Sequence, residues 1–500
     1  MRSKKAIKNI IFSFFLQITS IISGLVLPRL IIGTYGSNVN GMVSSITQFL
    51  GYIALLEAGV GGVTRAALYK PLAKKSNIEI SRIVRATEIF FKKLAYIFTI
   101  YSLILAAFYP FIINDEFNYL FTSSLVVIIG LSTFSEYYFG ISYQILLHSD
   151  QRLYISQFLQ IITIILNVII SWILIKSGFG IHIVKLSSSL IFVIRPILLN
   201  LYVRRKYNLM KDITPDNNAI KQRWDGLGHH IAYYLHRHTD VAVLTLFTNL
   251  KTVSIYSVYF MVVSAISRVI TIFSQGMEAA FGNMIAKGEG QTLKRTLSMY
   301  NFISFTLTTA LFTATAILII PFVALYTSNV TDANYIMPLF GYVLILAEAV
   351  YLVRLPYHSV VLAAGHFKQT KNACYIEALI NIVLSVILVN FLGLVGVAIA
   401  TFIAMIYRTI FYVIYLSKTF VAGSTKNFVY RVLISILSIV ITIFIIKMLP
   451  LFTINSYKDW FIYAIIVTTI SMINTFLLNA LIFVKDVKNI ILVLRHLMKI

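Results

Sequence analysis

Runs of about twenty apolar residues recur from one end of this 500-residue chain to the other, and that is the length a helix needs to cross the hydrocarbon of a bilayer. Nothing else restricts the fold so severely. Backbone polar groups find no water inside a membrane, so only α-helices and closed β-barrels span it. Barrel strands would show short period-two alternation rather than long apolar runs, so the chain reads as an all-α polytopic membrane protein. Composition agrees: 59 % of residues are hydrophobic and 12 % charged, against an apolar share of roughly 45–50 % in soluble domains. The opening Met1-Arg2-Ser3-Lys4-Lys5 has the look of a signal peptide. Ile10 to Ile32 is nevertheless too long for an h-region and lacks a small-x-small exit, so it reads as a retained span.

About fourteen spans follow, at 10–32, 40–66, 92–113, 119–147, 154–175, 181–203, 227–248, 254–284, 298–324, 336–363, 372–391, 394–416, 430–449 and 460–484. The connecting segments alternate in charge. One set is basic, from Lys4/Lys5/Lys8 through Lys70/Lys74/Lys75 and Arg204/Arg205/Lys206 to Lys485/Lys488/Arg495, while the other (GTYGSNVN, NDEFN, TSNVTDAN, NFLGLVG) is nearly bare. Cytoplasmic loops carry the excess of Lys and Arg, which places both termini in the cytoplasm of a multi-pass cell-membrane protein. The net charge of +24 therefore reports topology and implies no nucleic-acid partner. The single cysteine, Cys374, excludes an intrachain disulfide and a cysteine-based metal site.

Two related halves are legible. Asn167, Ser171 and Tyr143 fall on Asn381, Ser385 and Tyr357 at one constant offset of 214 residues. The division is an N-terminal lobe of six spans (1–203), a polar linker containing Pro215 (204–226), a second six-span lobe (227–416) and two further helices with a tail (417–500). Internal repeats of this kind place a transport site between the lobes. The basic segment 78–94 is amphipathic and has two readings: an interfacial helix on anionic membrane lipid, or an extension of the third span.

Charges inside the spans point to the cargo, since an arginine at bilayer depth costs roughly 2.5–3.5 kcal/mol and needs a partner or a wet cavity. On the seventh span His229, Tyr233, His236, Arg237 and Asp240 share one stripe, with Arg237 and Asp240 spaced to pair. The eighth repeats the pattern with Arg268, Gln275 and, slightly off line, Glu278. Arg354 and His358 share a face of the tenth with Tyr351, and Arg29 lies beside Pro28 on the first. Arg65, Arg195 and Arg408 sit towards span ends, where such side chains snorkel to the headgroups. Glu136 and Glu348 read as hydrogen-bonding groups between helices. Guanidinium forks match phosphate oxygens, so Arg29, Arg237, Arg268 and Arg354, with Gln275, His358 and Tyr351, form the candidate binding set for a phosphorylated anion. Asp240, His236 and Glu278 are the candidates for coupling to Na⁺ or H⁺. No other cofactor, metal cluster or catalytic domain is evident, and the chain reads as a non-enzyme.

LPRLIIGTYGSNVNGMVSSITQFLGYIALLEAGVGG, together with Asp240, Tyr256-Ser-Val-Tyr and LGLVGVAIAT at 392–401, resembles the polysaccharide transport (Wzx-type) flippases. That branch belongs to the superfamily of MATE exporters and lipid II flippases. The resemblance implies a V-shaped two-lobe transporter that moves an undecaprenyl-diphosphate-linked oligosaccharide (a capsule or O-antigen repeat) from the inner to the outer leaflet. It also implies alternating access and a glycan polymerase as partner. A multidrug or cation antiporter on the same scaffold is the alternative. A membrane glycan polymerase or ligase would carry a large outward loop, and every outward loop here is short.

Overall fold

The computed structural model describes residues 2–57, 59–113, 117–210, 212–224, 238–271, 277–449 and 453–497. Every described element is helical. The chain runs α1 (Arg2–Gly51), α2 (Val60–Lys74), α3 (Asn77–Ile112), α4 (Tyr119–Ser135), α5 (Ile141–Ser149), α6 (Leu153–Lys176), α7 (Ile181–Tyr207) and α8 (His238–Phe247). It continues as α9 (Leu250–Thr271), α10 (Met277–Ala286), α11 (Gly290–Tyr326), α12 (Pro338–Ala363), α13 (Phe367–Thr419), α14 (Ser424–Lys447), α15 (Tyr457–Ile482) and α16 (Val484–Leu497). Two helices each join two expected spans. α1 breaks at Gly36 (φ 86°) and α13 at Gly393 (φ 54°), positive angles that a side chain would resist and glycine adopts freely. Both glycines fall in the short turns that separate the expected spans.

The helices form two compact units, Met1–Ser254 and Ile255–Ile500. The boundary lies beyond the linker because α8 and the start of α9 pack on the second half of α1. There Asn40 Nδ2 donates to Ser254 Oγ (2.8 Å), Ser45 and Thr245 share a hydroxyl bond (2.8 Å), and Tyr52 O–H donates to the His238 carbonyl (2.9 Å). Gly41 makes this approach possible, since a Cβ there would stand 1.8 Å from the Leu250 carbonyl oxygen. Gly41→Ala is expected to cost about 1–3 kcal/mol as the backbone is forced apart, read as a lower unfolding midpoint of the purified protein. Gly24→Ala on the same helix meets nothing within 4 Å and should melt at or above wild type.

The linker is tied to the first unit. Met210 N donates to Ser81 Oγ (3.1 Å), Arg82 Nε to the Thr214 carbonyl (3.3 Å) and Asp216 N to the Arg82 carbonyl (3.1 Å). Segment 78–94 is the extension of the third span: it opens α3 with Ser76 as N-cap, and Ile80, Ile83, Val84 and Phe91 are buried against protein.

Candidate functional site

Pro356 interrupts α12 one turn beyond Leu352, and lacking an N–H it leaves that carbonyl unbonded. Ser304 on α11 supplies the missing donor, Oγ to Leu352 O at 3.2 Å. The repair holds the stretch of α12 that carries Tyr351, Arg354 and His358.

Facing them is Glu377, on the first half of α13. It accepts from Arg354 Nη1 through Oε1 at 2.8 Å and from Arg408 Nη1 through Oε2. Because α13 folds back at Gly393, one helix delivers both the carboxylate and its second arginine. Arg408 Nη2 also donates to Tyr412 O–H oxygen (3.1 Å), and each guanidinium lies over a ring 5.1 Å away, Arg354 over Tyr351 and Arg408 over Tyr412. His358 meets the edge of Tyr412 at 5.1 Å. The three charged side chains are only 6 %, 1 % and 6 % exposed (Arg354, Glu377, Arg408). Two guanidiniums share one carboxylate, so the cluster carries a net positive charge, and the buried Nε–H groups of both arginines have no acceptor among the described residues. In a low-dielectric setting that surplus favours an incoming anion.

Glu377 heads a stripe with Asn381 and Ser385, one turn apart on α13, and Asn381 Nδ2 donates to Thr401 Oγ1 (2.9 Å). The first unit repeats the plan with a different donor of charge. Thr163, Asn167 and Ser171 occupy the matching stripe on α6, and the carboxylate comes instead from Glu136, which binds Arg195 Nη2 on α7 at 2.6 Å. A π-turn at Glu136–Gly140 swings Glu136 into place; Gly140 packs so tightly that a Cβ would lie 2.8 Å from Pro196 Cβ.

These contacts revise several expectations. Arg354 has a local acid, which the sequence does not reveal. Arg195 and Arg408 do not snorkel to headgroups but close ion pairs, while Arg65 remains near a span end against His148 (3.3 Å). Asp240 is buried on α8, 4 % exposed. Arg29 is half-buried on α1; Arg268 is exposed on α9, and so is Glu278 in the first turn of α10, where a carboxylate suits the helix dipole. Arg237, His236 and Gln275 lie outside the described residues, with His229 and Tyr233. Among the described residues no three metal-ligating side chains cluster.

A second feature of the same unit is a groove of about 840 Å³ between α11, α12, α14 and α15. Its walls are aliphatic and aromatic, including Phe312, Ile345, Val353, Ile439 and Tyr463, with Lys447 at one end. Leu346 and Ile436 line it while being about half exposed (48 % and 53 %), so on membrane-spanning helices it opens towards lipid. At about 100° per residue, the groove residues Leu346, Val350 and Val353 share one face of α12, with Arg354 about 70–80° round from its centre and Tyr351 and His358 about 110–130° round. One helix thus lines an apolar trough and also carries Arg354 of the cationic cluster.

No protein-family model matches the chain, and no curated protein matches it either. Solved structures do. The lipid II flippase MurJ, in an inward closed conformation, superposes with a TM-score of 0.70 over 96 % of this chain and 99 % of its own, at 16 % identity. An inward-facing multidrug resistance MATE family transporter of the MOP superfamily gives 0.62 over 82 % of this chain and 96 % of its own, at 15 % identity. A eukaryotic MATE transporter gives 0.55 over 85 % and 98 %, at 10 % identity. The chain therefore has the polytopic all-helical fold shared by MurJ and the MATE transporters.

Proposed function

We propose that this chain is a flippase for a polyprenyl-diphosphate-linked oligosaccharide, of the undecaprenyl type used for capsule, O-antigen or other surface glycans, and that it turns this lipid from the inner to the outer leaflet of the cell membrane. The observation that carries the reading is the lipid-facing groove backed by the Arg354–Glu377–Arg408 cluster. An amphiphile with a long apolar tail and a diphosphate needs both surfaces within reach of one another, and α12 contributes to both. A cavity of this size lies towards the upper end of the range for small-molecule sites, and most of its lining is aliphatic or aromatic.

The multidrug alternative shares the scaffold. Two of the groove's four walls are α14 and α15, from the segment 417–500. The lipid II flippase structure covers 96 % of this chain and the MATE structures 82–85 %. Asp240 and Glu278 remain the proposed ion-coupling groups. Under this reading, with Asp240 buried and Glu278 exposed, Asp240→Asn has the larger effect on gradient dependence.

A charged residue in the groove tests the proposal. Ile439→Glu, at a mid-groove position, is expected to slow movement of a fluorescent polyprenyl-diphosphate glycan across proteoliposomes roughly 100-fold, because a carboxylate in hydrocarbon costs a few kcal/mol and repels the tail. Flipping at the wild-type rate, or export of a cationic dye that depends on Asp240, would instead favour the antiporter.

A further inference from the structure

Phe483 alone separates α15 from α16, so α16 starts where a membrane span ends. At 14 residues it is too short to cross the hydrocarbon. Its inner side is clasped. Asp486, almost wholly buried, accepts from Arg431 Nη2 at 2.5 Å; the same nitrogen reaches Ser298 O and Oγ (3.3 Å each), and the guanidinium stacks on the Phe483 ring at 4.2 Å. That clasp decides which side of α16 is free. Val484, Lys488, Ile491 and Arg495 run along the free side at three- to four-residue spacing, flanked by Lys485 and Leu492, and all six are exposed.

The mixture is informative. Three apolar side chains each more than two-fifths exposed (Val484, Ile491, Leu492) would be a liability in water, and three bare cations would be one in hydrocarbon. Interleaved on one face, they suit the headgroup layer, where the aliphatic groups dip and the basic chains reach back to phosphate. Asp486 is the only acid of α16, and Arg431 engages it, so the free face carries positive charge only. The geometry points to α16 as an in-plane helix that binds anionic phospholipid on the side where α15 ends, the cytoplasmic side by the distribution of basic loops, with the Arg431–Asp486 pair holding it in register. This is independent of the cargo.

The test uses the full chain with Cys374→Ser and a fluorophore on Leu492→Cys, reconstituted in phosphatidylcholine vesicles with or without roughly a third phosphatidylglycerol. Each basic residue near an anionic surface is worth roughly fivefold in affinity. Lys485→Gln, Lys488→Gln and Arg495→Gln together should therefore shift seating roughly 100-fold in phosphatidylglycerol, as should high salt in part. The wild-type label is expected to be blue-shifted and reached by lipid-borne quenchers in both vesicles, and more strongly with phosphatidylglycerol. These surface changes touch no buried group, so loss of fold does not confuse the result. Asp486→Asn should leave the helix seated with phosphatidylglycerol but release it in phosphatidylcholine alone. Water-like emission in both vesicles, or equal seating of wild type and the triple variant, overturns the lipid assignment. Protection that rises with protein density and resists lipid quenchers points to a second copy and overturns it as well. Unchanged seating of Asp486→Asn in phosphatidylcholine overturns the clasp.

Discussion

Glu377→Gln is expected to destabilise the second unit by about 3–5 kcal/mol, the cost of removing the one carboxylate from a buried ionic cluster. The amide keeps the shape and can still accept one hydrogen bond, so the loss reports charge rather than a cavity. Two guanidiniums that are each about 6 % exposed would then face one another without compensation, 23 and 31 residues from the site of the change. Chemical or thermal unfolding of the purified protein in mild detergent should show the drop, and Arg408→Met in the Glu377→Gln background should recover part of it. A midpoint unchanged by Glu377→Gln would mean that the cluster is hydrated and contributes no net binding between its members.

Arg354→Gln is expected to behave in the opposite way. Glu377 keeps Arg408 as a partner, so charge becomes balanced, and stability should stay within about 1 kcal/mol of wild type, the net worth of one hydrogen bond. Transport is where the loss should appear. A charge-assisted bond to a phosphate is worth roughly 1.5–3 kcal/mol, so translocation of a diphosphate lipid should fall roughly 10- to 100-fold. Arg354→Lys should recover only part of it, because an ammonium lacks the planar fork that grips two oxygens. The pair of variants separates structure from function: under the proposed function, the carboxylate holds the fold and the surplus cation is the group that would meet the cargo. Equal damage to stability from both would assign Arg354 a structural role alone.

The spans were readable because bilayer thickness imposes a length on them, and the turns at Gly36 and Gly393 because a chain reversing direction at a membrane face needs a residue without a side chain. The partners of the buried charges were another matter. Glu377 sits in an aliphatic run, CYIEALINIVL, where a single acid gives no hint of arginines that the fold brings to it from 23 and 31 positions away. One signal was present: Glu377, Asn381 and Ser385 recur at every fourth position, a polar stripe on a helix otherwise made of oil. Arg195 and Arg408 lie near span ends in the sequence, and distance to an end says nothing of a carboxylate on a neighbouring helix. The Glu136 pair was still less legible, since a π-turn shifts the face on which Glu136 emerges and ordinary helical periodicity does not anticipate it. Segment 78–94 is basic and amphipathic, as an interfacial helix would be, but its apolar face is covered by protein. α16 has the same pattern with part of its apolar face left open, a difference set by tertiary packing and invisible to a helical wheel.

The most direct measurement is the movement of a fluorescent polyprenyl-diphosphate glycan between leaflets of proteoliposomes, compared with the same lipid bearing no phosphate. Wild-type protein should translocate the diphosphate and largely ignore the uncharged lipid, and Arg354→Gln should erase that preference while leaving the protein folded. Equal transport of both lipids by wild type, or a preference that survives Arg354→Gln, would contradict a cationic cluster that selects the diphosphate.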